Sequence, residues 1–279
     1  MPSEPAGIFA PRPRGAHKHS VGTVTVVGGA PQYPHAPAIA ALGARAGGAG
    51  LVRLAAPDET RFAAALLAPE ATFTRLCRGC DLPTADVAVV GPGLAGDFAE
   101  ETVCTVLSGA FGRVVADAGA LAVLASARHR PAGEGPGGGL VLTPHEGEAA
   151  KLLGWERARV SSEREAAARE IAARYGATVV LKGPGTLVVS RDGSRIYRNE
   201  TGNPLLACGG TGDLLAGALG ARWAYLGDDP FTAAVSAVWL HGAAADALAA
   251  SGMDPSVSNL AAELGSLRAS RDGFEAMRR

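Results

Sequence analysis

TVTVVGGAPQYPHAPAIAALGARAGGAGLVRLAAP, residues 23–57, carries the fold in one passage. A β-branched run leaves through the glycine pair Gly28-Gly29, enters a helix at Ala36-Pro37 and returns as a second apolar run from Leu51. Proline suits a first helical turn, where its missing N–H has no partner to lose. Strands apolar at nearly every position need cover on both faces, and a helix between two of them is the usual connection of a parallel sheet.

The same rhythm runs down the chain. A helix from Asp58 is followed by DVAVVG (86–91), a helix from Asp97, RVVAD (113–117) and GLVLTP (139–144). A helix through EAAKLLG, the charged helix SSEREAAAREIAARYG (161–176) and TVVLKG (178–183) come next. The expectation is an α/β fold with a doubly wound, mostly parallel central sheet and helices on both faces. LVVSRDGSRIYRNE (187–200) breaks the rhythm, because Asp192-Gly193 between two alternating runs marks an antiparallel β-hairpin at one edge. Beyond residue 212 the pattern is mostly helical, and RHRPAGEGPGGG (128–139) reads as a glycine- and proline-rich surface insertion. No internal repeat is visible, so residues 1–279 read as one domain with 1–16 as a flexible N-terminal arm.

The 279 residues are 47% hydrophobic with a formal net charge of −1, and the charges are interspersed. That supplies a sizeable core and leaves no electrostatic footprint for nucleic acid or an anionic membrane. The N-terminus lacks the unbroken apolar stretch of a signal peptide, and no run of about eighteen apolar residues occurs. The cytoplasm is the expected location, with small molecules or copies of the chain as partners. Cys77 and Cys80 form a CxxC without a second pair or an HxxxH to complete a zinc site. With Cys104 and Cys208 they read as ordinary reduced thiols, ahead of a redox pair or metal ligands.

Five motifs carry chemistry. GPGLAG (91–96) matches GxGxxG with Asp117 further on, as in a dinucleotide fingerprint, but an earlier strand with its own glycine pair opens the domain. A tight strand-to-helix turn and a glycine-lined floor under a ligand are the other readings. GGAPQYPHAPAIA (28–40) offers backbone amides at a helix entrance, or a plain turn. LTPHEGEAAKLLG (142–154) sets His145 and Glu148 one turn apart, facing a ligand or hydrated Mg²⁺, or with Glu148 as a partner of the helix dipole. KGPGT (182–186) joins two strands with glycines that admit a ligand and a lysine suited to phosphate, or with a solvated lysine in a connecting turn. In GGTGD (209–213) consecutive amides converge at a helix N-terminus beside Asp213, an anion hole with a base next to it for phosphoryl transfer. His241, inside FTAAVSAVWLHGAAADALAA, reads as a packed core histidine.

Taken in order, HK (17–18), VVGGAPQYPHAPAIAALGARAGGAGLVRLAAP, VVGPGLAG, TPHEGEAAKLLG, LKGPGT and GNPLLACGGTGDLLAGALGA resemble the ADP- or ATP-dependent NAD(P)H-hydrate dehydratases of the ribokinase-like superfamily. The resemblance implies a ribokinase-like fold, a homotetramer, and repair of hydrated nicotinamide cofactors. A nucleotide, ADP in bacterial members, would phosphorylate the C6 hydroxyl of the S epimer of NADHX or NADPHX, and loss of phosphate would restore NADH or NADPH. It implies that Ala36, Gly93 and His145 line the hydrate site, that Asp213 activates the hydroxyl, and that Gly210 and Gly212 help form the anion hole. Lys182, Gly183, Pro184, Gly185 and Thr186 would contact the nucleotide together with Gly212, and Glu148 would organise Mg²⁺ through water. A separate NAD(P)HX epimerase is the expected functional partner.

Three departures stand out. The family's usual Asp-Ala-Asp-(Gly or Ala)-Leu-Asn is DAGALA here, so Gly119 and Ala122 replace an acid and an asparagine; GNPLLAC and YPHAP also differ from the usual pattern. The alternatives are a small-molecule kinase of the same fold, acting on a vitamin precursor or sugar hydroxyl, and a nucleotide-binding member without turnover.

Overall fold

The computed structural model describes residues 4–126 and 137–273. Its centre is a nine-stranded sheet in the order β3-β2-β1-β4-β5-β6-β7-β8-β9. The strands are β1 (Thr23–Val27), β2 (Leu51–Ala56), β3 (Thr72–Arg75), β4 (Val87–Val90), β5 (Arg113–Ala116), β6 (Gly139–Leu142), β7 (Thr178–Leu181), β8 (Leu187–Val189) and β9 (Ile196–Arg198). Pairing is parallel from β3 across to β7 and antiparallel from β7 to β9. The doubly wound sheet and its edge hairpin are therefore as the sequence predicts. KGPGT proves to be a hairpin connection as well, between β7 and β8.

Ten α-helices flank the sheet among the described residues: α1 (Ala36–Gly47), α2 (Arg61–Leu67), α3 (Ala99–Thr105), α4 (Gly119–Ala125), α5 (Glu146–Leu153), α6 (Arg157–Ser162), α7 (Arg164–Tyr175), α8 (Thr211–Leu226), α9 (Pro230–Ala250) and α10 (Val257–Asp272). The central strands are apolar throughout because they feed two cores. Val24, Val26, Val87, Val89, Val115 and Val141 pack with α1, α8, α9 and α10 on one face. Val27, Ala88, Val90, Val114 and Leu142 pack with α3, α4, α5 and α7 on the other. Successive side chains of a strand point to opposite faces, so each residue finds its own core.

α9 is long and apolar enough to cross a membrane by length and composition, but its 18-residue apolar window is 78% buried inside the fold, as a core helix is. Residues 4–12, expected to begin a flexible arm, are tied down. Ile8 is buried, its carbonyl accepts from Arg222 at 3.0 Å, and Tyr225 donates to the Ala10 carbonyl at 3.1 Å. Arg222 is itself fully buried and paired to Asp272 at 2.7 Å, so this segment covers a charge pair that needs shielding from competing water. The expectation of reduced thiols also fails for Cys77 and Cys80. Their turn brings the Cα atoms to 5.3 Å, within reach of a disulfide, and the two are bonded. Residues 128–136 of the expected insertion lie outside the described residues.

Chain order reverses direction about β1. β2 and β3 lie on one side of it and β4 on the other, so the helices after β1 and β4 go to opposite faces, and the switch point at the carboxyl ends of these strands is where open sheets of this kind form their ligand crevice. α1 and α8 run parallel beside that crevice. Ile39 lies by Gly210, Gly43 by Leu214 and Gly47 by Ala218, and a Cβ on Gly43 or Gly217 would overlap the facing helix's backbone. The glycines let the two backbones touch, which sets the N-termini of both helices side by side at the crevice.

Candidate active site

The site is organised by the first turn of α8. Gly210 caps that helix in the left-handed region, φ 91°, and has no side chain to satisfy the free N–H groups of the first turn. A Cβ at Gly210 would sit 3.0 Å from both Ile39 and Val257, so glycine is required by conformation and by space. Open amides and the positive end of a 16-residue helix together form an anion receptor.

Asp213 stands in that first turn. Burial raises its carboxyl pKa most, and the negative charge of Asp117 adds to this; Lys182 opposes and Glu148 adds a little more, leaving it at about 7. A carboxylate poised there can take a proton near neutral pH, as a general base must.

Lys182 and Asp117 form the second layer. Lys182 Nζ donates to Asp117 Oδ1 at 2.7 Å, and Thr143 Oγ1 donates to the same oxygen at 2.8 Å. The Asp117 side chain is 2% exposed, so the fingerprint reading, with this acid on a ribose, does not hold. The solvated-lysine reading of KGPGT fails for the same reason. Burial works against the charge of Lys182, but Asp117, Glu148 and Asp213 outweigh it and hold its pKa above the ordinary lysine value. The ammonium lies beside the α8 N-terminus, where a Cβ on Gly212 would be 3.4 Å from Nζ.

A cavity of about 480 Å³ opens from this point. Lys182, Gly183, Pro184, Gly185, Thr186 and Gly212, the whole expected nucleotide set, line it. Leu206, Leu215 and Val238 supply apolar wall, and Lys182 and the first turn of α8 supply positive charge; a lining of both kinds suits a nucleotide's base and phosphates. Asp246 braces the outer wall by accepting from Gly202 N at 2.8 Å and Asn203 Nδ2 at 2.9 Å.

Of the expected hydrate-site residues, Ala36 and Gly93 meet at the switch point, while His145 stands two strands along the sheet, at the start of α5 after β6. A Cβ on Gly93, φ 66°, would meet Ala36 Cβ at 3.0 Å and the Tyr33 carbonyl at 2.7 Å, so Gly93 and Ala36 touch across the switch point. Gly29 N donates to Pro92 O at 2.9 Å and joins the two glycine loops. GPGLAG is thus a strand-to-helix turn whose glycines let the β1 and β4 loops meet. His145 caps α5: its Nδ1 accepts from Gly147 N and Glu148 N, while Glu148 Oε2 accepts from His145 N at 2.8 Å. This capping box gives Glu148 a structural role at the start of α5. With Nδ1 accepting, the ring's proton is on Nε2, which lies 3.6 Å from Glu148 Oε2.

Gly119 has no room for the acid that the family pattern carries, because a Cβ there would overlap the Leu94 carbonyl oxygen. Ala118 before it has φ 46° and ψ −110°, a strained conformation for alanine, costing on the order of 1–3 kcal/mol and held beside Asp117. No three metal-ligating side chains converge among the described residues. Asp117 is occupied by Lys182 and Thr143, and Glu148 has one oxygen on a backbone amide, so these acids fit a cation that keeps its water shell against phosphates.

The family model for NAD(P)H-hydrate dehydratase matches residues 24–264. The chain is 42% identical over 248 residues to an ADP-dependent (S)-NAD(P)H-hydrate dehydratase of Neisseria meningitidis, covering 86% of this chain and 82% of that protein. It is 40% identical to a bifunctional NAD(P)H-hydrate repair enzyme of Gloeobacter violaceus, covering 88% of this chain but only 49% of that protein, so it spans about half of such a relative. The crystal structure of the ADP/ATP-dependent NAD(P)H-hydrate dehydratase of Bacillus subtilis, co-crystallised with ATP/Mg²⁺, superposes with a TM-score of 0.81 at 30% identity, covering 95% of each chain.

Proposed function

The chain belongs to the NAD(P)H-hydrate dehydratase family, and on that premise we propose that it converts the S epimer of NADHX or NADPHX back to NADH or NADPH at the expense of ADP or ATP. The observation that carries the proposal is Asp213, a carboxyl near pKa 7, standing in an uncapped helix N-terminus beside the cavity lined by KGPGT.

The hydrate sits against Ala36, Gly93 and the Nε2–H of His145, with its C6 hydroxyl on Asp213. The nucleotide fills the cavity with its phosphates toward Lys182 and the α8 amides. Asp213 takes the hydroxyl proton as the oxygen attacks the terminal phosphorus, and the N–H groups of the first turn, with Gly210 holding their geometry, meet the charge that spreads over the phosphoryl oxygens. Lys182 adds a fixed positive charge there, kept in place by Asp117. Loss of phosphate from C6, with a proton released from C5, then restores the C5=C6 double bond and leaves the reduced nicotinamide. Mg²⁺, held through water by Glu148 and directly by phosphate, would neutralise charge between the phosphoryl groups.

Support for the nucleotide comes from the relatives, an ADP-dependent enzyme in Neisseria meningitidis and an ADP/ATP-dependent one in Bacillus subtilis that was crystallised with ATP/Mg²⁺. We assign ADP, giving AMP, as the donor, a homotetramer in the cytoplasm as the working state, and a separate NAD(P)HX epimerase as functional partner. The test is a product balance with S-NADHX and each nucleotide in turn. Free phosphate and NADH in equal amounts support dehydration. A phosphorylated product that accumulates without NADH would replace this reading by a kinase for another hydroxyl.

A further inference from the structure

His241 is buried, as the sequence predicts of a core histidine, but it is more than packing. It lines the nucleotide cavity, and its Nε2 lies 3.0 Å from the Thr211 carbonyl oxygen. A carbonyl can only accept, so Nε2 carries the proton and Nδ1 is bare in the neutral ring. Burial lowers the pKa of His241 most; the bond to Thr211 opposes this, the Lys182 charge reinforces it, and the net value is about 4. The imidazole is therefore neutral wherever Asp213 is ionised enough to act.

The acceptor is what gives the bond its consequence. The Thr211 C=O and the Gly212 N–H are the two ends of one planar peptide. Turning that plane swings the N–H away from the anion hole. The peptide lies in the first turn of α8, where the Thr211 carbonyl points down the helix toward the Leu215 N–H; the glycines at 210 and 212 and the lack of a side-chain cap leave that turn little other restraint. A second donor on the carbonyl, beside the helical one, holds the plane more firmly and polarises the peptide further, which makes its N–H a better donor.

We propose that His241 is a positioning residue for phosphoryl transfer: through Nε2–H on the Thr211 carbonyl it fixes and polarises the Gly212 N–H that meets the transferring group. The proposal rests on the reading of the α8 N-terminus as the anion hole. It separates the donor function of His241 from its volume, so two variants of similar size decide it. His241→Gln keeps an N–H that can reach the carbonyl, and His241→Met fills the space without one.

Two readouts apply. In turnover of S-NADHX, His241→Met lowers kcat about 10-fold or more, by analogy with loss of an oxyanion-hole donor, with nucleotide Kd changed less than about 3-fold; His241→Gln recovers most of kcat. The second readout needs no turnover. Thr-Gly occurs only at 201–202 and 211–212, so carbonyl-¹³C threonine with ¹⁵N-glycine labels two amides, of which Gly212 is one. Its amide resonance shifts upfield in His241→Met and stays near the wild-type position in His241→Gln. Equal kcat loss in both variants, or a Gly212 resonance that ignores the donor in a folded protein, overturns the proposal. A wild-type protein that makes no NADH with any nucleotide refutes the dehydratase reading instead, and the Gly212 resonance then decides the role of His241 alone.

Discussion

Two helix N-termini face the same end of the sheet and are built in opposite ways. α5 is closed on itself: His145 and Glu148 satisfy its first amides reciprocally. α8 is left open, with Gly210 at its cap and Asp213 in its first turn. The closed end holds its own partners, with His145 Nε2 beside the Glu148 carboxylate. The open end leaves its amides without a side-chain cap, which is what an anion receptor needs. A helix start that sequence marks with glycines and an acid is therefore a different object from one that it marks with a capping box, although both are called N-termini.

The contrast is broken most severely at Asp213. Asp213→Asn keeps shape but cannot take a proton, so turnover falls by roughly 10²–10⁴-fold, while nucleotide Kd by calorimetry moves little. Stability moves the other way. The folded carboxyl titrates near 7, above its ordinary value in the unfolded chain, so its contribution is full at acid pH and is lost as pH rises toward 7. The asparagine variant escapes that loss and should resist urea better than wild type at pH 8, and less distinctly at pH 4.

The acid limb of the pH profile sharpens the same point. With Asp213 as base, kcat/KM rises about tenfold per pH unit below its pKa and levels off above about 7. Because Glu148 contributes to the upward shift, Glu148→Gln moves the midpoint to lower pH; an unmoved midpoint would detach Glu148 from the base. Gly210→Ala attacks the open cap itself. A positive φ and contacts at 3.0 Å put the cost at roughly 1–3 kcal/mol, measurable by urea denaturation, and nucleotide affinity falls with it. His145→Ala attacks the closed cap, costs about 1 kcal/mol, and raises the KM for the hydrate more than for the nucleotide.

Most of the fold is legible because most of it is local. β1 and α1 announce themselves through apolar runs, a glycine pair and Ala36-Pro37, and Asp192-Gly193 marks the edge hairpin. β3 escapes such reading: TFTR is four residues long and half exposed, stabilised by pairing with β2 rather than by its own pattern. In the site, GGTGD and KGPGT are legible as backbone chemistry. The Lys182–Asp117 pair is not, since its members are 65 residues apart and only the sheet order unites them. His241 looks like core because it is core, and a histidine among alanines gives no sign that a carbonyl of another helix lies against it. Gly119 is a departure from family pattern in sequence and a packing requirement in space, with the Leu94 carbonyl where a side chain would go.

The most direct test of the account is absorbance at 340 nm after mixing S-NADHX and Mg²⁺ with wild-type protein or Asp213→Asn, each with ADP, ATP or no nucleotide. A rise that requires nucleotide and the wild-type carboxylate is the predicted result. A rise of equal rate in Asp213→Asn, or none in wild type that binds nucleotide, would contradict the assignment of the α8 N-terminus as the place where the hydrate is phosphorylated.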